Sequence, residues 1–126
     1  MKPHLRPLSP HLQIYRLPLT AWLSISHRFS GVVLSLGLVA TVLVLFAVAE
    51  SPLLYESIHG FLGSWVGKAV LLLWLLALSV HFCHGIRHLI WDLGFSLGRS
   101  ALVSHSWWEL GAAVGLTLLV WLMIIG

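Results

Sequence analysis

The stretch His81-Phe82-Cys83-His84-Gly85-Ile86-Arg87-His88-Leu89-Ile90-Trp91-Asp92 places three imidazoles and a carboxylate at the end of a long apolar run. An α-helix turns about 100° per residue, so His81, Gly85, His88 and Asp92 share one face and His84 flanks it. Ionisable groups at membrane depth are costly; they face a bundle interior and act as ligands, relays or ion partners. Neutral imidazole is a haem-iron ligand. Gly85, one turn beyond His81, offers a surface with no side chain on which a flat macrocycle can lie. Haem is the group this pattern points to. His81 is the deepest of the three histidines and reads as the axial ligand; the competing reading is a buried histidine bonded to a carbonyl of a neighbouring helix. His84 lies off the central line and reads as a packing or hydrogen-bonding residue.

A haem hung from His81 would point its propionates toward the membrane surface. His88, His27 and Arg28 are the natural partners for those carboxylates; simple interfacial solvation is the other reading of all three. Ser24 and Arg28 stand one turn apart. A hydroxyl and a guanidinium can both donate to a carbonyl oxygen, and fixed positive charge stabilises a reduced quinone. Arg28 also reads as a snorkelling anchor. Asp92 reads as an ion partner of Arg87 or Arg28, or as a proton relay. Cys83 is the single cysteine, so it forms no internal disulfide and no CxxC metal pattern.

The elements that must position these groups follow from composition. The chain has 126 residues, 59% hydrophobic and only 9% charged. Soluble domains carry roughly 25% charged residues, so this is an integral membrane protein. Nucleic acid is excluded as a partner, because no basic stripe is interleaved with aromatics. The first 19 or so residues hold Pro3, Pro7, Pro10 and Pro18 together with Lys2, Arg6 and Arg16. They read as a surface arm, without the apolar core of a cleavable signal peptide. Thr20 is the expected N-cap of the first helix. Val32 to Ala49 is an uncharged run of eighteen residues, about 27 Å of helix. The expected spans are about 21–49, 65–91 and 107–125, all in one domain, 1–126. Residues 58–62 read as a short interfacial helix carrying an interfacial His59, and Asp92 to Glu109 as a polar loop. Trp65, Trp107 and Trp108 lie near the expected span ends, as interfacial tryptophans do. Gly63/Gly67 and Gly111/Gly115 permit close helix approach to partners.

Three spans put the termini on opposite sides. Lys2, Arg6, Arg16, Arg28, Arg87 and Arg99 fall on one side and Lys68 on the other. The positive-inside bias puts the N-terminus and the histidine end in the cytoplasm or matrix. Ser24–Arg28 and His88–Asp92 therefore meet at one membrane face.

Arg6-Pro7-Leu8-Ser9-Pro10-His11-Leu12 with Ser24-Ile25-Ser26-His27-Arg28-Phe29-Ser30-Gly31 resembles the first signature of the cytochrome b subunit of succinate dehydrogenase (complex II). His81 to Gly94 resembles the second, and the two stand in the family's order and spacing. The resemblance implies an all-α anchor with three transmembrane helices, part of a helical bundle that a partner subunit completes. It implies that His81 is the axial ligand of haem b and that a second, smaller hydrophobic anchor subunit supplies the opposite ligand. It implies that Ser24 and Arg28 line a ubiquinone site, and that Arg28, His27 and His88 lie near the propionates. Flavoprotein and iron–sulfur subunits would dock on the cytoplasmic or matrix face, where succinate is oxidised. The chain itself would then be a subunit in electron transfer from the tricarboxylic acid cycle to the respiratory chain, not a succinate catalyst. The short arm points to a bacterial inner membrane rather than a mitochondrion. Two other functions fit the residues: a self-contained small b-type cytochrome, and a haem-free structural anchor.

Overall fold

The computed structural model describes residues 14–125, so the arginine-proline motif at 6–12 and most of the expected surface arm lie outside the described residues. Four helices follow in order: α1 (Leu19–Glu50), α2 (Pro52–Gly63), α3 (Trp65–Asp92) and α4 (Arg99–Ile125). Among them, α1, α3 and α4 are long and apolar enough to cross a membrane. α3 lies between α1 and α4 and packs against both, while α2 caps the corner between α1 and α3.

The helix ends follow local chemistry. α1 starts at Leu19, with Pro18 as an N-cap in extended conformation. Thr20 therefore lies inside the helix and is not its cap. The Pro18 carbonyl accepts from the Ala21 and Trp22 amides at 3.0 and 3.2 Å. At 32 residues, α1 is about 48 Å long, more than a hydrocarbon core of roughly 30 Å requires, so its ends reach the interfaces. Ser51 then caps α2, accepting from the Leu54 amide at 3.3 Å, with Pro52 in the first turn where a missing N–H costs nothing. Ser64 caps α3 by accepting from the Gly67 amide at 3.1 Å. Any Cβ on Gly67 would collide with the Phe61 carbonyl, so this corner closes only with glycine there.

α3 ends in a Schellman turn. Gly94 takes φ +81°, its amide donates to the Trp91 carbonyl at 2.8 Å, and the Phe95 amide donates to the Ile90 carbonyl at 3.2 Å. α4 resumes at Arg99, so the polar segment expected to run to Glu109 is helical over most of its length. The third membrane helix begins well before 107. Trp107 and Trp108 lie more than two turns inside it. Three of its polar residues share one helix face: Ser106, Glu109 and Thr117 recur at helical spacing with Leu102 and Ala113, and Ser106, Glu109, Ala113 and Thr117 are buried.

The burial pattern is inverted relative to a water-soluble domain. The buried apolar residues are Leu23, Ala47 and Ala113 alone among the described residues, whereas Ser30, Ser79, His84, Arg87, Ser106, Glu109 and Thr117 are buried. Leu36, Leu43, Phe46, Leu119, Leu122 and Met123 all point outward. Lipid tails solvate such a surface, and the polar groups find their partners inside.

Candidate functional site

His81 sits on α3 facing α1. Its Nδ1 lies 3.2 Å from the His27 carbonyl and 3.2 Å from Ser30 Oγ. Ser30 in turn donates to the His27 carbonyl at 2.8 Å. A carbonyl can only accept, so Nδ1 carries the proton and Nε2 presents its lone pair. That is the tautomer of a histidine metal ligand whose other nitrogen is held by a backbone carbonyl.

Gly31 borders the Cε1–Nδ1 edge of the His81 ring. A Cβ on Gly31 would stand 3.2 Å from His81 Cε1. Nothing lies within 4 Å of a Cβ built on Gly85, so α3 is open there, and the glycine in contact with the His81 ring is Gly31 of α1. An open groove of about 670 Å³ runs along this seam, lined by His27, Arg28, Gly31, Val32, Leu34, Ser35, Leu38 and His81. Val32, Leu34 and Leu38 make part of the lining apolar, and His27, His81 and Arg28 add imidazoles and a guanidinium. That volume and lining suit a flat prosthetic group with charged edges.

The structure brings together most of the residues the sequence points to. His27 stacks on His81, with ring centroids 4.1 Å apart and planes 16° from parallel. His88 approaches His27 with centroids 5.7 Å apart. Arg28 is exposed at the groove rim. Ser24, one turn earlier on α1, is half-buried and does not line this groove. Asp92 is exposed and makes no ion pair among the described residues, so it is not the partner of Arg87. His59 is exposed on α2, beside Tyr55.

Arg87 turns the other way, toward α4. Its Nη1 donates to Glu109 Oε2 at 2.8 Å and to Ser106 Oγ at 2.9 Å, and its Nη2 donates to the Leu102 carbonyl at 2.7 Å. The guanidinium also lies over the Trp91 ring, 4.7 Å from its centroid, a cation–π contact. The second carboxylate oxygen, Glu109 Oε1, accepts from His84 Nδ1 at 2.6 Å. His84 is 1% exposed and Glu109 8%. The hydrogen bond that His84 was expected to make is thus to a buried carboxylate. A signal for Glu109 exists in the sequence: a glutamate flanked by Trp108 and Leu110, in register with Ser106, Ala113 and Thr117. Reading 92–109 as a loop hides it.

Comparison with known proteins adds the relationship. Residues 2–125 match the family model described as the succinate dehydrogenase/fumarate reductase transmembrane subunit. The succinate dehydrogenase cytochrome b556 subunit of Paracoccus denitrificans is 42% identical over 92 residues, covering 73% of this chain and 71% of that protein. The cytochrome b556 subunit of Rickettsia felis is 34% identical over 118 residues, covering 92% of this chain and 90% of its own length. The cytochrome b560 subunit of Marchantia polymorpha is 39% identical over 101 residues, covering 75% and 73% respectively. With its three apolar helices, inverted burial and matched length, this chain belongs to the succinate dehydrogenase/fumarate reductase transmembrane subunit family.

Proposed function

We propose that this chain is the cytochrome b membrane anchor of a succinate:ubiquinone oxidoreductase, with His81 Nε2 as one axial ligand of haem b. The observation that carries this reading is the pair of oxygens, His27 carbonyl and Ser30 Oγ, that hold His81 Nδ1 while the His81 ring lines the groove. Haem held between two imidazoles supplies a one-electron carrier rather than an oxygen-binding centre. The residues of this chain do the rest. Gly31 leaves the approach to the ring clear. His27, Arg28 and His88 provide cationic and N–H partners for the propionates at the membrane surface. Arg28, with Ser24 one turn away, donates to the carbonyl oxygens of ubiquinone.

Among the described residues the groove is walled by α1 and by His81 of α3, and its outer side is left for a second hydrophobic anchor subunit that brings the opposite ligand. Iron–sulfur and flavoprotein subunits dock on the face that carries Arg28 and Arg87, which the positive-inside bias puts in the cytoplasm together with the N-terminus. The self-contained cytochrome fits less well. Among the described residues His27 is the histidine stacked on His81, and rings face to face at 4.1 Å leave no room for an iron between them.

The test is the complex purified from its native membrane with His81→Ala in this chain. The reduced-minus-oxidised spectrum of a bis-imidazole b haem should disappear or weaken, while flavoprotein, iron–sulfur protein and one small hydrophobic partner co-purify. An unchanged spectrum overturns the ligand assignment.

A further inference from the structure

We propose that His27, His84 and His88 form a binding site for a single divalent transition-metal ion of the Zn²⁺ class, using no atom of His81. One nitrogen from each ring lies within 4.8 Å of the others. A tetrahedral zinc ion with nitrogens at about 2.0–2.1 Å holds them roughly 3.3 Å apart. His84 is fixed in the core, so half-buried His27 and exposed His88 are the rings that would turn to close the remaining distance.

The independent sign of a ligand is His84 itself. Its Nε2 is buried and has no hydrogen-bond partner. Buried ring nitrogens in native proteins are almost always paired. The Glu109 carboxylate, an acceptor only, lies 2.6 Å from Nδ1. The proton is therefore on Nδ1, and in the neutral ring Nε2 keeps its lone pair. A carboxylate behind one nitrogen of a histidine whose other nitrogen is free is the outer-shell arrangement of zinc-binding histidines. Arg87 pairs with Glu109 at 2.8 Å, and the donor set is three imidazoles, which ligate metals in their neutral form. Such a set suits zinc, copper, nickel and cobalt and does not suit magnesium or calcium. The open side at His88 leaves a fourth position for water. His27 and His88 are also the residues placed beside the haem propionates, so the ion and the propionates compete for them.

Cobalt(II) titration of the full chain in detergent micelles tests this. The visible d–d bands of a tetrahedral nitrogen-rich site should saturate at one equivalent and be reversed by zinc. His88→Gln, at an exposed position, should abolish the bands with the helical circular dichroism unchanged. Glu109→Gln should weaken binding by about 10- to 100-fold. His59→Gln on α2 should change nothing, and His81→Ala should keep the bands in this titration although the same variant loses haem in the purified complex, so the two assignments fail separately. Absent bands, or bands that survive both His88→Gln and His84→Gln, overturn the proposal; should the buried variants fail to fold, the exposed His88→Gln decides it.

Discussion

The Arg87–Glu109 pair holds α4 onto α3, and Glu109→Leu is expected to loosen that contact far more than the removal of one hydrogen bond would. Both side chains are at most 6% exposed. The substitution strands a buried guanidinium and removes the acceptor of His84 Nδ1. Breaking a buried ion pair from one side costs about 3–5 kcal/mol, because the remaining charge is left uncompensated. Arg87 keeps Ser106 Oγ and the Leu102 carbonyl as acceptors at 2.9 and 2.7 Å. The expected loss is therefore at the low end, about 3 kcal/mol. Replacing both partners, Arg87→Met with Glu109→Leu, removes the stranded charge and should lose less than Glu109→Leu alone, with a coupling of roughly 2 kcal/mol. Equilibrium unfolding of the four chains of this cycle in mixed micelles, followed by circular dichroism, measures it. A single-variant loss below about 1 kcal/mol, or a double variant that is simply additive, would refute the view that this pair is a desolvated unit rather than a surface-like bridge.

Three further outcomes are expected. Gly31→Val should lower the haem content of the purified complex and perturb its spectrum, because even a lone Cβ at this position stands 3.2 Å from His81 Cε1; full occupancy with an unaltered spectrum would show that Gly31 does not border the haem. Gly37→Ala should destabilise the α1–α3 contact by about 1–3 kcal/mol, because its Cβ would overlap the Trp74 indole; this is read from the unfolding midpoint in mixed micelles, and an unchanged midpoint would mean that the two helices separate freely there. Arg28→Ala should slow ubiquinone reduction while sparing electron transfer to a soluble dye, and equal loss of both would indicate failed assembly instead.

The fate of the three histidines marks the limit of reading a helical wheel. On α3, His84 is only about 60° from His81 and 40° from His88 at 100° per residue. A rotation of that size decides which ring is buried. His81 meets the seam with α1, His84 is driven under α4, and His88 reaches the exposed rim. Nothing in the spacing of the three predicts that assignment, since it depends on two neighbours packing on opposite sides of α3. The same holds for Arg87, one residue before His88, which turns from Asp92 to Glu109.

What the sequence by itself determined is the class of solvent and the number of crossings. An uncharged run of eighteen residues needs no neighbour to be insoluble in water. The motifs around Ser24–Gly31 and His81–Gly94, with their matched order, also determined the family without any coordinates. The tertiary structure decided what the polar residues inside the membrane do. In lipid, apolar positions carry little information about packing, because the outside is as apolar as any core. The buried polar groups carry it, and they bond across helices distant in sequence: Ser30 to His81, His84 and Arg87 to Glu109. Those pairings set the helix rotations, and the rotations set which histidine nitrogen is left free.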